Sequence, residues 1–496
     1  MALTMYNYRE TNREKSSPAI WAKPEEIAQY SSGCLQDDII LGHDASVAYY
    51  DRNKSWEHGV NSNVFCFGGT GGGKTRSVAE PNLANHLDCS YVVTDPKGEL
   101  LRDMGPGFEK DGYKVQVLNA IDLSKSAGYD PFRNIGRPED IPTVVTSLFD
   151  AVTPNRRNTH ADTIWENTAE IHACGCAGIL WDLEHVDGCF SPKGDPSAER
   201  KYLRMNRFFD LMKLATVSEA NDGEDKSPLD YLAEGVENGG IEYSLFAPQP
   251  DAYGPSKLRA CRTSAAKTHK SILISEQSHI AKLDTPEMRR IFEHDEMRLD
   301  DVGDDKRVIF LLMSDCDSTK SVLPNVFIKQ LLMKVERKAD AAPNGRLKVP
   351  LTFVLDEFPN IGRIPDFDRV IATARSRGMN FLLCAQSISQ LDDKYGPAAA
   401  RTILDNCDTV VYMGSGSSLE TARYISELCG QYDVATEYVG AEHAPRKIRD
   451  WVITPTEVSL LPRTDCLVKI SGCRPFRTKK FGVHEHPNYQ RFVTQK

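Results

Sequence analysis

Residues 68–75 read Gly-Gly-Thr-Gly-Gly-Gly-Lys-Thr, a full G-x-x-x-x-G-K-[ST] pattern. Glycines at these positions let the backbone turn its N–H groups inward around phosphate oxygens, where a Cβ would obstruct. A strand-like run, Asn63 to Phe67, comes before it and a helical segment after it. That order sets a phosphate at a helix N-terminus. Gly68, Gly69, Thr70, Gly71, Gly72 and Gly73 are therefore expected to cradle the phosphates of ATP. Lys74 is expected to reach the β- and γ-phosphates and the Thr75 hydroxyl to ligate Mg²⁺. Pro81 should bend or shorten the helix that follows.

A phosphate cradle alone does not separate a switch from a kinase or a motor, and three further features narrow the choice. The apolar run Leu351 to Leu355 ends in Asp356-Glu357. The first carboxylate suits a water-mediated Mg²⁺ contact, and the second suits a general base or an orienter of the attacking water. Phe381 to Ala385 ends in Gln386-Ser387, where an amide can contact a γ-phosphate or the lytic water. Arg375-Ser376-Arg377 closes a helix-like segment. Arg375 could stabilise transition-state charge in a neighbouring subunit, or it could simply cap the helix C-terminus. The spacing leaves both open.

The elements that must hold these groups alternate between strand and helix. β-Branched and aromatic runs at Ser90 to Thr94 and Tyr113 to Leu118 follow the cradle. Further runs stand at Arg307 to Met313 and Thr409 to Met413. Strands separated by helix-length segments imply a parallel sheet with crossover helices, and continuous apolar strands imply burial on both faces. Residues from about 140 to 298 carry long helical patterns instead, such as Thr163 to Leu183 and Tyr202 to Val217. The expected organisation is a lead-in over 1–62, a nucleotide-binding domain over 63–140 and 299–496, and an inserted all-α domain over 141–298. The acidic patches Glu219 to Glu237 and Glu293 to Asp305 read as solvated faces.

Composition sets the outer bounds. The chain has 496 residues, 40% apolar and 26% charged, which excludes a disordered or fibrous protein. A net charge of −10 excludes a uniformly basic nucleic-acid coat. No run reaches the roughly 18 apolar residues of a spanning helix. The 13 cysteines include no Cys-x-x-Cys pair, as expected of reduced thiols in a cytosol. His172, Cys174 and Cys176 match no metal-ligand spacing and read as packed residues of a helix. The stretch 446–496 has 11 Lys and Arg against 4 Asp and Glu. Arg474, Arg477, Lys479 and Lys480 cluster there with Phe476 and Phe481. This suits either tracking of a single nucleic-acid strand or a basic face turned to an acidic partner.

Taken together, GGTGGGKT, SYVVTDPKGELLRD (90–103), YDPF (129–132), LTFVLDEF, CAQSISQLDDKYG (384–396) and the ending ITPTEVSLLPRTDCLVKISGCRPFRTKKF resemble the conjugative type IV coupling proteins of the TraG/TraD family. The likeness spans most of residues 20–485. It implies a RecA-like P-loop motor domain with an inserted all-α domain, working as a hexameric, DNA-stimulated ATPase at the cytoplasmic mouth of a type IV secretion channel. The partners implied are relaxase-bound DNA and the channel components, with the isolated chain a possible monomer. The resemblance also places an arginine finger at Arg375 and sets Asp95, Lys97 and Glu99 near the nucleotide. Such proteins usually begin with membrane-spanning helices, which this chain lacks. That implies either a truncated chain or a member recruited to the membrane's inner face by a separate partner. Another ring translocase, a secretion-assembly ATPase, or a nucleotide-binding receptor without turnover are the alternatives.

Overall fold

A computed structural model describes residues 21–49, 58–85, 88–152, 163–186, 200–216, 226–238, 251–262, 266–313, 322–414, 416, 418–435 and 447–492. Its thirteen strands are β1 (Asp38–Gly42), β2 (Ala45–Ala48), β3 (Val64–Phe67), β4 (Ser90–Asp95), β5 (Lys114–Asn119), β6 (Arg307–Leu312), β7 (Leu351–Leu355), β8 (Met379–Ala385), β9 (Thr409–Tyr412), β10 (Gln431–Ala435), β11 (Lys447–Trp451), β12 (Asp465–Ile470) and β13 (Phe476–Lys479). Nine form one sheet in the order β13-β12-β9-β3-β8-β7-β4-β6-β5, and β1-β2 and β10-β11 are separate antiparallel pairs.

The chain divides into two compact units: Met1–Val115 with Gly303–Val308 and Ala339–Lys496, and Gln116–Val302 with Ile309–Lys338. In the first unit β9, β3, β8, β7 and β4 run parallel. Every residue of β3, β4, β7 and β8 is buried. Strands covered on both faces cannot alternate polar and apolar residues, which is why they read as unbroken apolar runs. Phe353 of β7 stacks on Phe381 of β8 with ring centroids 4.9 Å apart.

The edge departs from a purely parallel sheet. β12 pairs antiparallel with β9, and β13 antiparallel with β12. β13 buries Phe476 and Thr478 while exposing Arg477 and Lys479. That period-2 pattern belongs to a strand with one wet face. The lead-in region holds a short helix, Pro24–Ala28, and the β1–β2 hairpin. After the glycine-rich loop the chain makes a wide π-type turn over Thr75–Ala79 before the α-helical turn Glu80–Ala84. Pro81 has no N–H to give the carbonyl four residues back, which fits a locally widened backbone.

The second unit is helical between residues 140 and 291 among the described residues. Its central helix, Thr163–Val186, is buried around most of its circumference. A Cβ on Gly178 would lie 2.7 Å from the Gly254 Cα, and one on Gly254 would lie 2.3 Å from the Ile179 N. The two glycines thus let the helix Tyr253–Arg262 approach the central helix backbone to backbone. Buried carboxylates brace the connections. Glu184 accepts from the N–H groups of Lys201, Tyr202 and Leu203, and Asp182 accepts from those of Tyr253 and Gly254. Among the described residues no helix is long and apolar enough to cross a membrane.

Candidate active site

The sheet order explains how residues 281 positions apart in sequence meet. β3, β8 and β7 are neighbours in parallel register, with Phe67 opposite Ala385 and Leu355 opposite Leu383. Whatever follows their carboxyl ends therefore gathers on one edge of the sheet, where ligands of open parallel sheets bind. The loop 68–75 follows β3, Gln386 follows β8, and Asp356-Glu357 follows β7.

The loop is a preformed concavity. Gly72 N–H closes a turn on the Gly69 carbonyl at 2.9 Å, and Gly71 and Gly73 take φ of +71° and +87°. A Cβ on Gly72 would stand 2.8 Å from the Gly69 oxygen, and one on Gly68 would stand 2.9 Å from the Met413 Cβ. Lys74 is 5% exposed, and its ammonium donates to the Gly68 carbonyl at 2.7 Å. The same Nζ lies 3.2 Å from Glu357 Oε1. The other oxygen of Glu357 accepts from Gln386 Nε2 at 3.2 Å, and Gln386 Oε1 accepts from the Thr70 hydroxyl at 3.5 Å. Thr70, Gln386, Glu357, Lys74 and Gly68 thus form one circuit from the tip of the loop back to its base.

The Thr75 hydroxyl donates to Asp356 Oδ2 at 2.5 Å. Two hard oxygen donors side by side, one of them anionic, are a donor set suited to Mg²⁺. Burial raises the Asp356 carboxyl above its ordinary range, and the adjacent Glu357 adds to the rise, while the Thr75 hydrogen bond and Lys74 oppose it. A divalent cation at these oxygens would reverse that by favouring the charged form.

Glu357 stands in the left-handed region at φ 53°, ψ 47°, which costs roughly 1 kcal/mol for a residue other than glycine. Its surroundings hold it there. Asp356 Oδ1 accepts from the Glu357 N–H at 3.1 Å, the Thr94 hydroxyl grips the Asp356 carbonyl at 2.8 Å, and Asn360 N–H returns to the Glu357 carbonyl at 2.8 Å. Strain of this kind, held by neighbours, is a mark of functional positions.

Asp95 ends β4, whose Thr94 stands opposite Leu355 of β7, so Asp95, Lys97 and Glu99 follow a strand end beside Asp356. Asp95 accepts from the N–H groups of Lys97, Glu99 and Leu101. It therefore caps the turn into the helix Glu99–Lys110, and Lys97 is exposed. Arg375 is exposed on the helix Phe367–Arg377, which leads through Gly378 into the first residue of β8. The seven residues of β8 at about 3.3 Å each put it on the sheet edge opposite its own cradle, roughly 20 Å away. Arg377 pairs with Asp340 at 2.8 Å.

The C-terminal basic cluster is built differently from a base-stacking platform. Phe476 and Phe481 are buried, Arg477 and Lys479 both pair with Asp465, and Arg474 faces Glu26. Lys480 reaches the glycine loop, donating to the Gly72 carbonyl at 2.8 Å. It and Thr94 are the contributors to the site that sequence reading missed. Lys480 showed only as one more charge in a basic run, and Thr94 only as a strand residue.

A family model described as "Type IV secretory system Conjugative DNA transfer" matches residues 21–496. A conjugal transfer protein TraG of Escherichia coli is 24% identical over 462 residues, covering 87% of this chain and 67% of that protein. A TraG of Rhizobium radiobacter is 24% identical over 457 residues, covering 86% and 64%. The chain thus spans about two thirds of the length of these relatives. Among solved structures, the bacterial conjugative coupling protein TrwBdeltaN70 superposes with a TM-score of 0.59 at 18% identity, covering 95% of this chain and 94% of that one. Plasmid coupling protein TrwB in complex with ADP and Mg²⁺ superposes with a TM-score of 0.55 at 18% identity, covering 88% of each. These likenesses give the fold: a P-loop α/β domain with a large, mostly parallel sheet, joined to a helical region.

Proposed function

The chain belongs to the type IV secretory system conjugative DNA transfer family, and from that premise we propose that it is an ATP-hydrolysing coupling protein. In this reading it recruits relaxase-bound DNA and drives or licenses its passage through a type IV secretion channel. The observation that carries the catalytic part is the circuit joining Lys74, Glu357 and Gln386 to the glycine loop, with Thr75 and Asp356 touching beside it.

Each residue has a task that its position suits. The loop N–H groups and Lys74 bind the phosphates of ATP, and phosphoryl oxygens compete with Glu357 for the lysine. Thr75 and Asp356 would hold Mg²⁺. When bound, the ion neutralises charge on the β- and γ-phosphoryl oxygens. Glu357, with one oxygen held by Gln386, orients water and takes its proton. Gln386 spans Glu357 and Thr70, so loss of the γ-phosphate can be passed on to β8. Arg375, on the far sheet edge, cannot serve its own cradle and acts on that of a neighbour, which requires a ring of subunits; a homo-hexamer satisfies this. A separate membrane partner would bring the chain to the inner face of the membrane.

The test is ATP hydrolysis by the purified chain, with and without single-stranded DNA, across protein concentration. Specific activity is expected to rise with DNA and with concentration, and to vanish in Lys74→Ala. Turnover unchanged by that substitution would remove the motor reading, leaving a receptor that binds nucleotide without using it.

A further inference from the structure

One cluster of ligating side chains lies apart from the nucleotide site, wholly within the helical unit. His172 and Cys176 stand four residues apart on the central helix Thr163–Val186, so they share a face. Glu276 reaches them from the helix Ala266–Ile280. His172 Nδ1 lies 2.8 and 3.0 Å from the two oxygens of Glu276 and 3.9 Å from the Cys176 sulfur. The ligand atoms of all three lie within 4.8 Å of one another. Exposures are 3% for His172, 0% for Cys176 and 1% for Glu276.

Without an ion the cluster is a buried His172–Glu276 pair, 2.8 Å apart, with the Cys176 thiol beside it. Nδ1 can carry one hydrogen, yet both carboxylate oxygens and a thiol point at it. A buried imidazole and carboxylate also demand excellent compensation for the water they lose. A zinc ion meets both requirements. Zn²⁺ with one thiolate, one carboxylate and one neutral imidazole has no net charge and can be buried. With Zn–N and Zn–O near 2.0–2.2 Å and Zn–S near 2.3 Å, tetrahedral ligand atoms stand about 3.3–3.6 Å apart. The observed separations straddle that range, so modest side-chain adjustment centres an ion. Imidazole, thiolate and carboxylate together are the mixed N/S/O set that zinc accepts. Cys261, on the helix Tyr253–Arg262, is also buried, but its sulfur lies 3.7 Å from the Thr168 carbonyl and outside this cluster.

We propose that His172, Cys176 and Glu276 form a Zn²⁺ site that staples the central helix to the helix Ala266–Ile280, with a water molecule as the fourth ligand. Binding converts the Cys176 thiol to a thiolate and leaves the imidazole neutral, and the displaced protons pass to solvent. Cys174, two positions from each helix ligand and so turned away from their face, takes no part.

The test uses the full chain, loaded with Zn²⁺, freed of excess by gel filtration and assayed by elemental mass spectrometry. A parallel sample is titrated with Co²⁺ and followed for thiolate-to-cobalt charge-transfer absorption. One zinc per chain is expected, with a charge-transfer band for Co²⁺, and both are lost in Cys176→Ser but retained in Cys174→Ser. Chelation should lower the wild-type melting temperature towards that of Cys176→Ser, a comparison that needs no further variant to fold. A wild-type chain that retains no zinc and shows no charge-transfer band overturns the proposal. So does zinc retained equally in Cys176→Ser, which would mark an adventitious ion only.

Discussion

Replacing Glu357 by Gln separates binding from chemistry, because the carboxylate is tied to Lys74 as well as placed to take a proton. The two charges are 3.2 Å apart, with Lys74 5% and Glu357 18% exposed. At an effective dielectric of about 20 their gross attraction is about 5 kcal/mol. Desolvation cancels most of that, and a hydrogen-bonded pair of this kind keeps a net of about 1–2 kcal/mol. Phosphate must overcome this net term to capture Lys74. The glutamine keeps the side-chain shape and the contact to Gln386 but gives up the charge. A non-hydrolysable ATP analogue should therefore bind about 5–30-fold more tightly to Glu357→Gln. Hydrolysis should fall by about 10²-fold or more through loss of the base. Calorimetric titration of the analogue beside a steady-state phosphate-release assay reads both. Unchanged turnover, or weaker binding of the analogue, would refute the assignment of Glu357 as both partner of Lys74 and base.

Three further outcomes follow from the same geometry. Gly72→Ala drives a Cβ to 2.8 Å from the Gly69 oxygen, so analogue affinity should drop about tenfold or more, the equivalent of 1.4 kcal/mol, with little change in melting temperature. Arg375→Ala should leave analogue affinity intact and cut turnover by about 10³-fold. Mixing it with Lys74→Ala subunits, which still carry Arg375, should restore activity, and failure to complement would argue against a role between subunits. Asp130, in the helical unit, is pushed up to about 7 by burial, with Asp295 adding to the rise. Its folded value exceeds the unfolded one of about 3.9, so stability is fullest below pH 4 and is lost as pH rises towards 7. One oxygen of Asp130 accepts from both Phe132 and Met205 N–H groups, which an asparagine can copy. Asp130→Asn should therefore raise the melting temperature more at pH 8 than at pH 5.

Much of the site was legible because its carriers are strands buried on both faces. β3, β7 and β8 appear in sequence as short apolar runs, and each ends in the group that matters: the glycine loop, Asp356-Glu357 and Gln386. What sequence could not give was distance across the fold. Lys480 contacts Gly72 from 408 positions away, and no local pattern separates it from its neighbour Lys479, which pairs with Asp465. Phe476 and Phe481 read as stacking surfaces because basic residues flank them in sequence, yet the rings turn inward. The antiparallel edge was readable in principle from the alternation Phe476, Arg477, Thr478, Lys479. Asp95 was equally ambiguous, since a carboxylate opening a helix can serve a ligand or cap a turn, and the cap shows only in its three backbone partners. His172 and Cys176 gave no recognisable ligand spacing because Glu276 lies on another helix, 104 positions from His172.

The central claim is that the loop 68–75 and the acids at the end of β7 close around one magnesium-bound nucleotide. The most direct measurement is equilibrium binding of a non-hydrolysable ATP analogue with and without Mg²⁺, to the wild-type chain, Lys74→Ala and Asp356→Asn. One saturable site is expected, strengthened by Mg²⁺ in the wild type, lost in Lys74→Ala and indifferent to Mg²⁺ in Asp356→Asn. Binding that is equal in all three chains, or absent from the wild type, would contradict it.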